Sequence, residues 1–238
     1  MHFLNVLTIV VNQFSLFWKT DYSTTLDALN DITKMYSLHN SIRQTSTVLL
    51  YSGTTKTNPT PVVLKFVTNK QASKCELSIL DEYLLITGRN HIVNCLDYFE
   101  LQNVNCDLFV LEYLNKDLFE PTTTLELVKY INDIADAIKT IHTNVIIYAD
   151  MKPEHILYNK QTKTATLIDF GLCIDSRANQ EVKGIYGTLP YMAPEVLQLQ
   201  TFTNKIDIWG FGLSLIETVI KEKVGANLFL VVVKAFIY

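Results

Sequence analysis

The chain has 238 residues, 48% of them hydrophobic, enough for one large domain or for two lobes around a shared cleft. Its net charge of −4 and pI near 5.7 exclude a global basic field of the kind that draws a protein to nucleic acid. Cys75, Cys95, Cys106 and Cys173 form no Cys-x-x-Cys pair and no zinc spacing. Reduced, mostly buried thiols are therefore expected, as in a cytoplasmic or nuclear protein.

Residues 1–18 are apolar but lack a basic n-region and a small-residue cleavage site, and Asn5, Asn12 and Gln13 interrupt them. They read as a peripheral helix packed on the domain, not as a signal peptide or a membrane span. The apolar run 228–233 is also too short to span. Strands are predicted at 47–51 and 62–67, joined by the turn-rich stretch 52–59. Helical spacing of Leu77, Ile79, Leu80, Tyr83 and Leu84 places a helix over 73–86. Two more strands follow, at 91–99 and 107–113. Beyond Asn115 the pattern becomes helical. A strong amphipathic helix covers 125–142, with threonines at its start. Short strands flank turns at Asp150 and Asp169, an irregular segment covers 172–191, and a last helix runs over 205–220. The fold class is therefore α+β, with a small sheet-rich N-lobe and a helical C-lobe joined near 112–116. The segment 1–33 is an N-terminal extension, and residues 34–238 form the domain, with an N-lobe at 34–112 and a C-lobe at 115–238.

The chemistry concentrates in Tyr148-Ala149-Asp150-Met151-Lys152-Pro153-Glu154-His155-Ile156-Leu157 and in Asp169-Phe170-Gly171. An aspartate and a lysine two residues apart share a turn, and a second aspartate lies between an apolar strand and a glycine. Phosphoryl transfer needs a carboxylate to orient a hydroxyl, a cation beside the moving phosphate and a carboxylate to hold magnesium. With Val62-Val63-Leu64-Lys65 upstream and Gly187-Thr188-Leu189-Pro190-Tyr191-Met192-Ala193-Pro194-Glu195 downstream, residues 36–222 resemble a eukaryotic protein kinase of the serine/threonine type.

The resemblance implies a role for each matched residue. Asp150 would accept or orient the proton of the substrate hydroxyl, and Lys152 would neutralise the moving phosphoryl group. Lys65 would hold the α- and β-phosphates of ATP and pair with a glutamate; Glu76 is the first choice and Glu82 the competitor. Leu157 would form the apolar floor under the base, and Val48 and Val63 would belong to the same ATP site. Glu112 and Leu114 would lend hinge backbone to its edge, with Leu111 as gatekeeper. Asp117 is a ribose ligand or a helix N-cap. Asp169 would chelate Mg2+, and Asp207 would brace the catalytic turn. Protein substrates are implied; membrane and direct nucleic-acid partners are not expected.

The pattern also departs from the family. Ser41, Arg43 and Ser46 stand where the phosphate loop has glycines, and no glycine precedes Gly53. His155 replaces an asparagine that binds a second magnesium, so Mn2+ is expected to be preferred. Tyr148-Ala149 replaces the usual His-Arg, which removes the arginine that receives an activating phosphate. No arginine follows Arg177 to pair with Glu195, expected to be a buried carboxylate, and the C-lobe reads as incomplete. The stretches Glu76-Leu77-Ser78-Ile79-Leu80, Thr87-Gly88 and Lys205-Ile206-Asp207-Ile208-Trp209 resemble replication-initiating kinases of the cell-division-cycle-seven type. That likeness implies a nuclear, cell-cycle role with an activating regulatory subunit. The competing reading is a pseudokinase, a scaffold that keeps the fold without turnover.

Overall fold

The computed structural model describes residues 2–80, 91–121, 123–177 and 181–220. Glu82, Thr87-Gly88, the end of the helix predicted at 73–86 and the apolar run 228–233 lie outside them. The chain divides into two compact units, Met1–Lys74 with Asn94–Tyr113, and Cys75–Val93 with Leu114–Tyr238.

The first unit is built on a five-stranded antiparallel sheet in the order β1-β2-β3-β5-β4. Its strands are β1 (Tyr36–Gln44), β2 (Val48–Thr55), β3 (Pro61–Val67), β4 (Cys95–Leu101) and β5 (Cys106–Glu112). Because side chains alternate across a strand, Leu49 and Tyr51 of β2 and Val62, Leu64 and Phe66 of β3 share one face. That face is sealed by α1 (His2–Trp18) and α2 (Tyr22–Met35), which contribute Val11, Phe14, Phe17, Trp18, Leu29 and Ile32 to a single core. Phe14 lies at the centre, edge-on to Phe66 at 4.9 Å and stacked on Tyr51 at 5.3 Å. The N-terminal helix is thus more than the peripheral element expected, since it supplies the sheet's hydrophobic cover. Across that sheet register, Val48, Val63, Lys65 and Leu111 occupy the opposite face.

Two predicted boundaries shift for local reasons. β2 runs through residues 52–55, where a turn was expected, because Gly53 is a packing glycine. A Cβ there would stand 2.6 Å from both the Ser37 carbonyl oxygen and Leu64 Cδ1. The strand expected at 91–99 begins only at Cys95. Ile92 instead forms a bridge to Leu167 in the second unit, and His91 adopts φ +59°. The helix expected from residue 73 starts earlier, as α3 (Lys70–Ser78), with Asn69 Oδ1 accepting from the Gln71 and Ala72 amides.

The second unit is organised by α4 (Thr124–Thr143). Thr123 caps it by accepting from the Glu126 amide at 3.2 Å, and Tyr130, Ile134, Ala137, Ile138 and Ile141 form its buried stripe. Thr123→Ala is expected to cost about 1 kcal/mol, read as a lower urea midpoint at unchanged slope. After α4 come β6 (Ile146–Ile147), β7 (Ile156–Asn159), β8 (Thr164–Leu167) and β9 (Ile174–Asp175), paired β6-β9 and β7-β8. Then follow α5 (Pro194–Leu197) and α6 (Lys205–Ile220). Ile147, Ala149, Met192, Ala193, Val196, Phe202 and Ile206 form a core that packs the turn after β6 against α5 and α6. Among the described residues, no helix is long and apolar enough to cross a membrane.

Candidate active site

The turn between β6 and β7 carries the predicted catalytic residues, and one buried carboxylate holds it. Asp207, in the first turn of α6 and 1% exposed, accepts the Tyr148 amide at 2.9 Å and the Ala149 amide at 2.8 Å. Its Oδ2 also lies 2.7 Å from Nε2 of His142, near the end of α4. These bonds hold Ala149 at φ +66°, a left-handed conformation that costs a non-glycine residue roughly 1–2 kcal/mol. The bracing role expected of Asp207 is what the geometry displays, and His142 is a further partner that nothing in the sequence marks.

Asp150 is buried and fully engaged. Lys152 Nζ donates to its Oδ2 at 2.8 Å, and Thr188 Oγ1 donates to its Oδ1 at 2.6 Å. Lys152 Nζ also donates to Thr188 Oγ1 at 2.8 Å, closing a triangle of carboxylate, ammonium and hydroxyl. Thr188 reaches this position because Gly187 lies flat against the turn. At φ +94°, a Cβ on Gly187 would stand 2.4 Å from the Ala149 carbonyl oxygen, so no other residue fits. In the sequence, Gly187 and Thr188 stand out only as part of the family's Gly-Thr motif, which assigns them no contacts. A hydroxyl directly after an obligatory glycine was the available clue.

His155 ends a one-turn 3-10 helix, Pro153–His155, and is 3% exposed. Its Nδ1 lies 3.1 Å from the Tyr148 hydroxyl and 3.1 Å from the Asp150 carbonyl oxygen, and its Nε2 lies 3.4 Å from Asp169 Oδ2. Asp169, at φ +64°, turns its carboxylate toward this ring and leaves it about a third exposed (36%). The Tyr148 hydroxyl donates to the Ile168 carbonyl oxygen at 2.5 Å, tying the catalytic turn to the residue before Asp169. Burial, then the neighbouring carboxylates, push the Tyr148 phenol well above its ordinary value, so it stays protonated.

Glu76 is 2% exposed, and its Oε1 sits 3.5 Å from the Phe170 amide. One residue earlier, the Cys75 thiol donates to the Cys173 carbonyl oxygen at 2.9 Å. Both thiols are pushed up mainly by burial, which leaves them protonated and weakly nucleophilic. All four cysteines are free: Cys106 and Cys173 are buried, while Cys75 and Cys95 are only half-buried.

The remaining candidates fall into place on their own elements. Lys65, 4% exposed, sits on β3 opposite Leu50 and Phe109. Glu112 ends β5, and its carboxylate accepts the Asn94 amide and side chain at 2.7 and 2.8 Å. Leu114 follows it, half-buried, and Leu157 lies on β7 opposite Thr166. Ser41 and Arg43 form part of β1 across two irregularities in its register, where the side chain of Gln13 in α1 reaches Ser41 Oγ and Gln44 Oε1. Asp117 is not a helix N-cap, a place taken by Thr123; its Oδ2 accepts the Lys160 amide instead. Glu195 is half-exposed in the first turn of α5, so the expected cost of a buried, unpaired carboxylate does not arise there.

Among the described residues, no group of three or more His, Cys, Asp or Glu side chains is placed to hold a metal ion. Asp169 offers one carboxylate, and magnesium in nucleotide sites is usually held by one or two carboxylates together with phosphate oxygens and water.

Comparison with known proteins agrees with this geometry. Residues 36–227 match the protein kinase domain, and the chain belongs to that family. It is similar to "Myosin light chain kinase, smooth muscle" of Gallus gallus, 31% identical over 153 residues that cover 60% of this chain and 8% of that protein. It is also similar to "Probable serine/threonine-protein kinase pXi" of Dictyostelium discoideum, 27% identical over 195 residues that cover 77% of this chain and 28% of that protein. The chain thus corresponds to well under two thirds of the length of either relative.

Proposed function

We propose that this chain is a serine/threonine protein kinase that transfers the γ-phosphate of ATP to protein hydroxyls. The observation that carries the reading is the triangle of Asp150, Lys152 and Thr188 beside Asp169. It offers a carboxylate to take a hydroxyl proton and an ammonium within reach of the same point. Asp150 Oδ2 accepts the incoming proton once a substrate hydroxyl displaces one of its present donors. Lys152, nine-tenths buried at 12% side-chain exposure, holds its charge where little water screens it, so the charge counts for more than at a surface. ATP, when bound, supplies the transferable phosphoryl group. Lys65, supported by Glu76, would hold its α- and β-phosphates, and Asp169 would hold the accompanying cation. Val48, Val63 and Leu157 would enclose the base beside the backbone of Glu112 and Leu114.

The likeness of residues 76–80 and 205–209 to replication-initiating kinases extends the proposal to a nuclear, cell-cycle role with an activating regulatory subunit. Incubation with γ-labelled ATP and a panel of protein acceptors, in Mg2+ and in Mn2+, tests the central reading. Label on serine or threonine supports it. Folded protein that transfers no label, with or without a thermal shift on adding nucleotide, identifies a pseudokinase.

A further inference from the structure

We infer that Arg43 is a phosphate-binding residue of the nucleotide site, its guanidinium taking the place of the backbone amides that a glycine loop would offer. The inference rests on the kinase reading and names a further residue for its ATP. It starts at the tip of the hairpin between β1 and β2. In protein kinases a glycine-rich loop covers the phosphates, and successive free amides make a loop into an anion cradle. Here the amides of Thr45, Thr47 and Val48 are already engaged. The Thr45 amide donates to the Val48 carbonyl oxygen at 2.8 Å, and Thr45 Oγ1 accepts from the Thr47 and Val48 amides at 3.3 and 3.0 Å. The Thr47 carbonyl oxygen accepts from the Thr68 amide at 3.0 Å, which ties the tip to the chain just beyond β3. Rebuilding this tip as a cradle of successive amides would break these bonds, so a side chain is the better-placed donor.

The strand register shows which one. Residues opposite each other in an antiparallel pair share a face of the sheet. Ser41 stands opposite Tyr51 and Gln44 opposite Leu49, on the face covered by α1. Gln13 of α1 accordingly reaches Ser41 Oγ at 3.4 Å and Gln44 Oε1 at 2.9 Å. The irregularity between Ser41 and Arg43 leaves Arg43 opposite Leu50, on the face away from α1. Leu50 in turn stands opposite Lys65. Arg43, Leu50 and Lys65 thus form one cross-strand row, with the two cations two strands apart. Neighbouring strands lie about 4.8 Å apart, so the two backbones are about 10 Å apart. Two long side chains close that gap on an anion lying between them.

The charge pattern agrees. No aspartate or glutamate occurs between Asp31 and Glu76, in a chain whose net charge is −4. The hairpin and β3 therefore carry no carboxylate to compete with a phosphate. Arg43 is exposed, and its side chain makes no hydrogen bond or ion pair among the described residues, so its planar fork keeps its full capacity for bidentate phosphate contact. A cation on an edge strand also deters pairing with other chains, but it does so from either face. The row shared with Lys65 is what a phosphate ligand requires.

Calorimetric titration of wild type, Arg43→Ala and Arg43→Lys with ATP and with adenosine, all in Mg2+, tests this. ATP affinity should fall about 10-fold or more in Arg43→Ala, while adenosine, which has no phosphate, binds as before. Arg43→Lys keeps the charge without the fork and should recover part of the loss. Unchanged ATP affinity in Arg43→Ala, or an equal loss for adenosine, overturns the inference and leaves the kinase reading standing. The expected affinities without transfer of label overturn the kinase reading and leave Arg43 in its role. A wild type that binds no ATP overturns both.

Discussion

Asp150→Asn is expected to lower phosphate transfer by about 10²–10⁴-fold while preserving nucleotide binding. The substitution keeps the volume of a side chain that is 6% exposed, so the turn has no cavity to collapse into. The amide oxygen can still accept from Thr188, but it cannot take a proton from a substrate hydroxyl. The Lys152 ammonium loses its anionic partner yet keeps the 2.8 Å bond to Thr188 Oγ1, which should hold it in place. The check is a single-turnover transfer assay alongside a thermal-shift titration with ATP. A rate within several-fold of wild type would remove Asp150 from the chemistry. A lost nucleotide shift would mean that the substitution had disturbed the site and not the proton transfer.

Legibility in the sequence followed the range of the interactions. The helix α4 was readable from the spacing of its apolar residues and a capping threonine, because both signals are local. The strands β3 and β5 were readable because they are short apolar runs, buried along most of their length. The helix α2 escaped although Ala28, Leu29 and Ile32 have helical spacing, because the fourth member of the stripe is Thr25, a buried hydroxyl that donates no apolar signal. It bonds instead to Ser15 of α1. The strand β1 escaped because it is a polar edge strand with an irregular register and mostly exposed side chains, so no alternation marks it.

The site shows the same division. Asp150, Lys152, His155 and Asp169 were found from their order along the chain, since the motif is a one-dimensional pattern. What each touches was not readable. Tyr148 looked like a departure from the family, yet its hydroxyl joins residues 148, 155 and 168 into one network. Thr188 meets Asp150 across 38 positions, and only the close approach of Gly187 to Ala149 makes that contact possible.

The second large effect is expected on stability. Asp207→Ala removes one carboxylate and strips acceptors from the buried amides of Tyr148 and Ala149 at once, together with the His142 contact. A buried donor left without a partner costs about 1–3 kcal/mol, so the two amides together predict a loss of about 2–6 kcal/mol. The left-handed Ala149 carries the effect into activity, because its strain is tolerated only while the Asp207 bonds hold the turn. Once they are gone, the backbone can relax away from φ +66° and carry Asp150 with it. Asp207→Asn should lose less stability, since its amide oxygen can still accept from one of the two backbone amides. Urea unfolding of the three proteins, paired with the transfer assay, separates the contributions. The expected order is wild type, then Asp207→Asn, then Asp207→Ala, with activity falling in the same order. An alanine variant within about 1 kcal/mol of wild type would show that water replaces the carboxylate, and the turn would then owe its shape to the contact between Gly187 and Ala149.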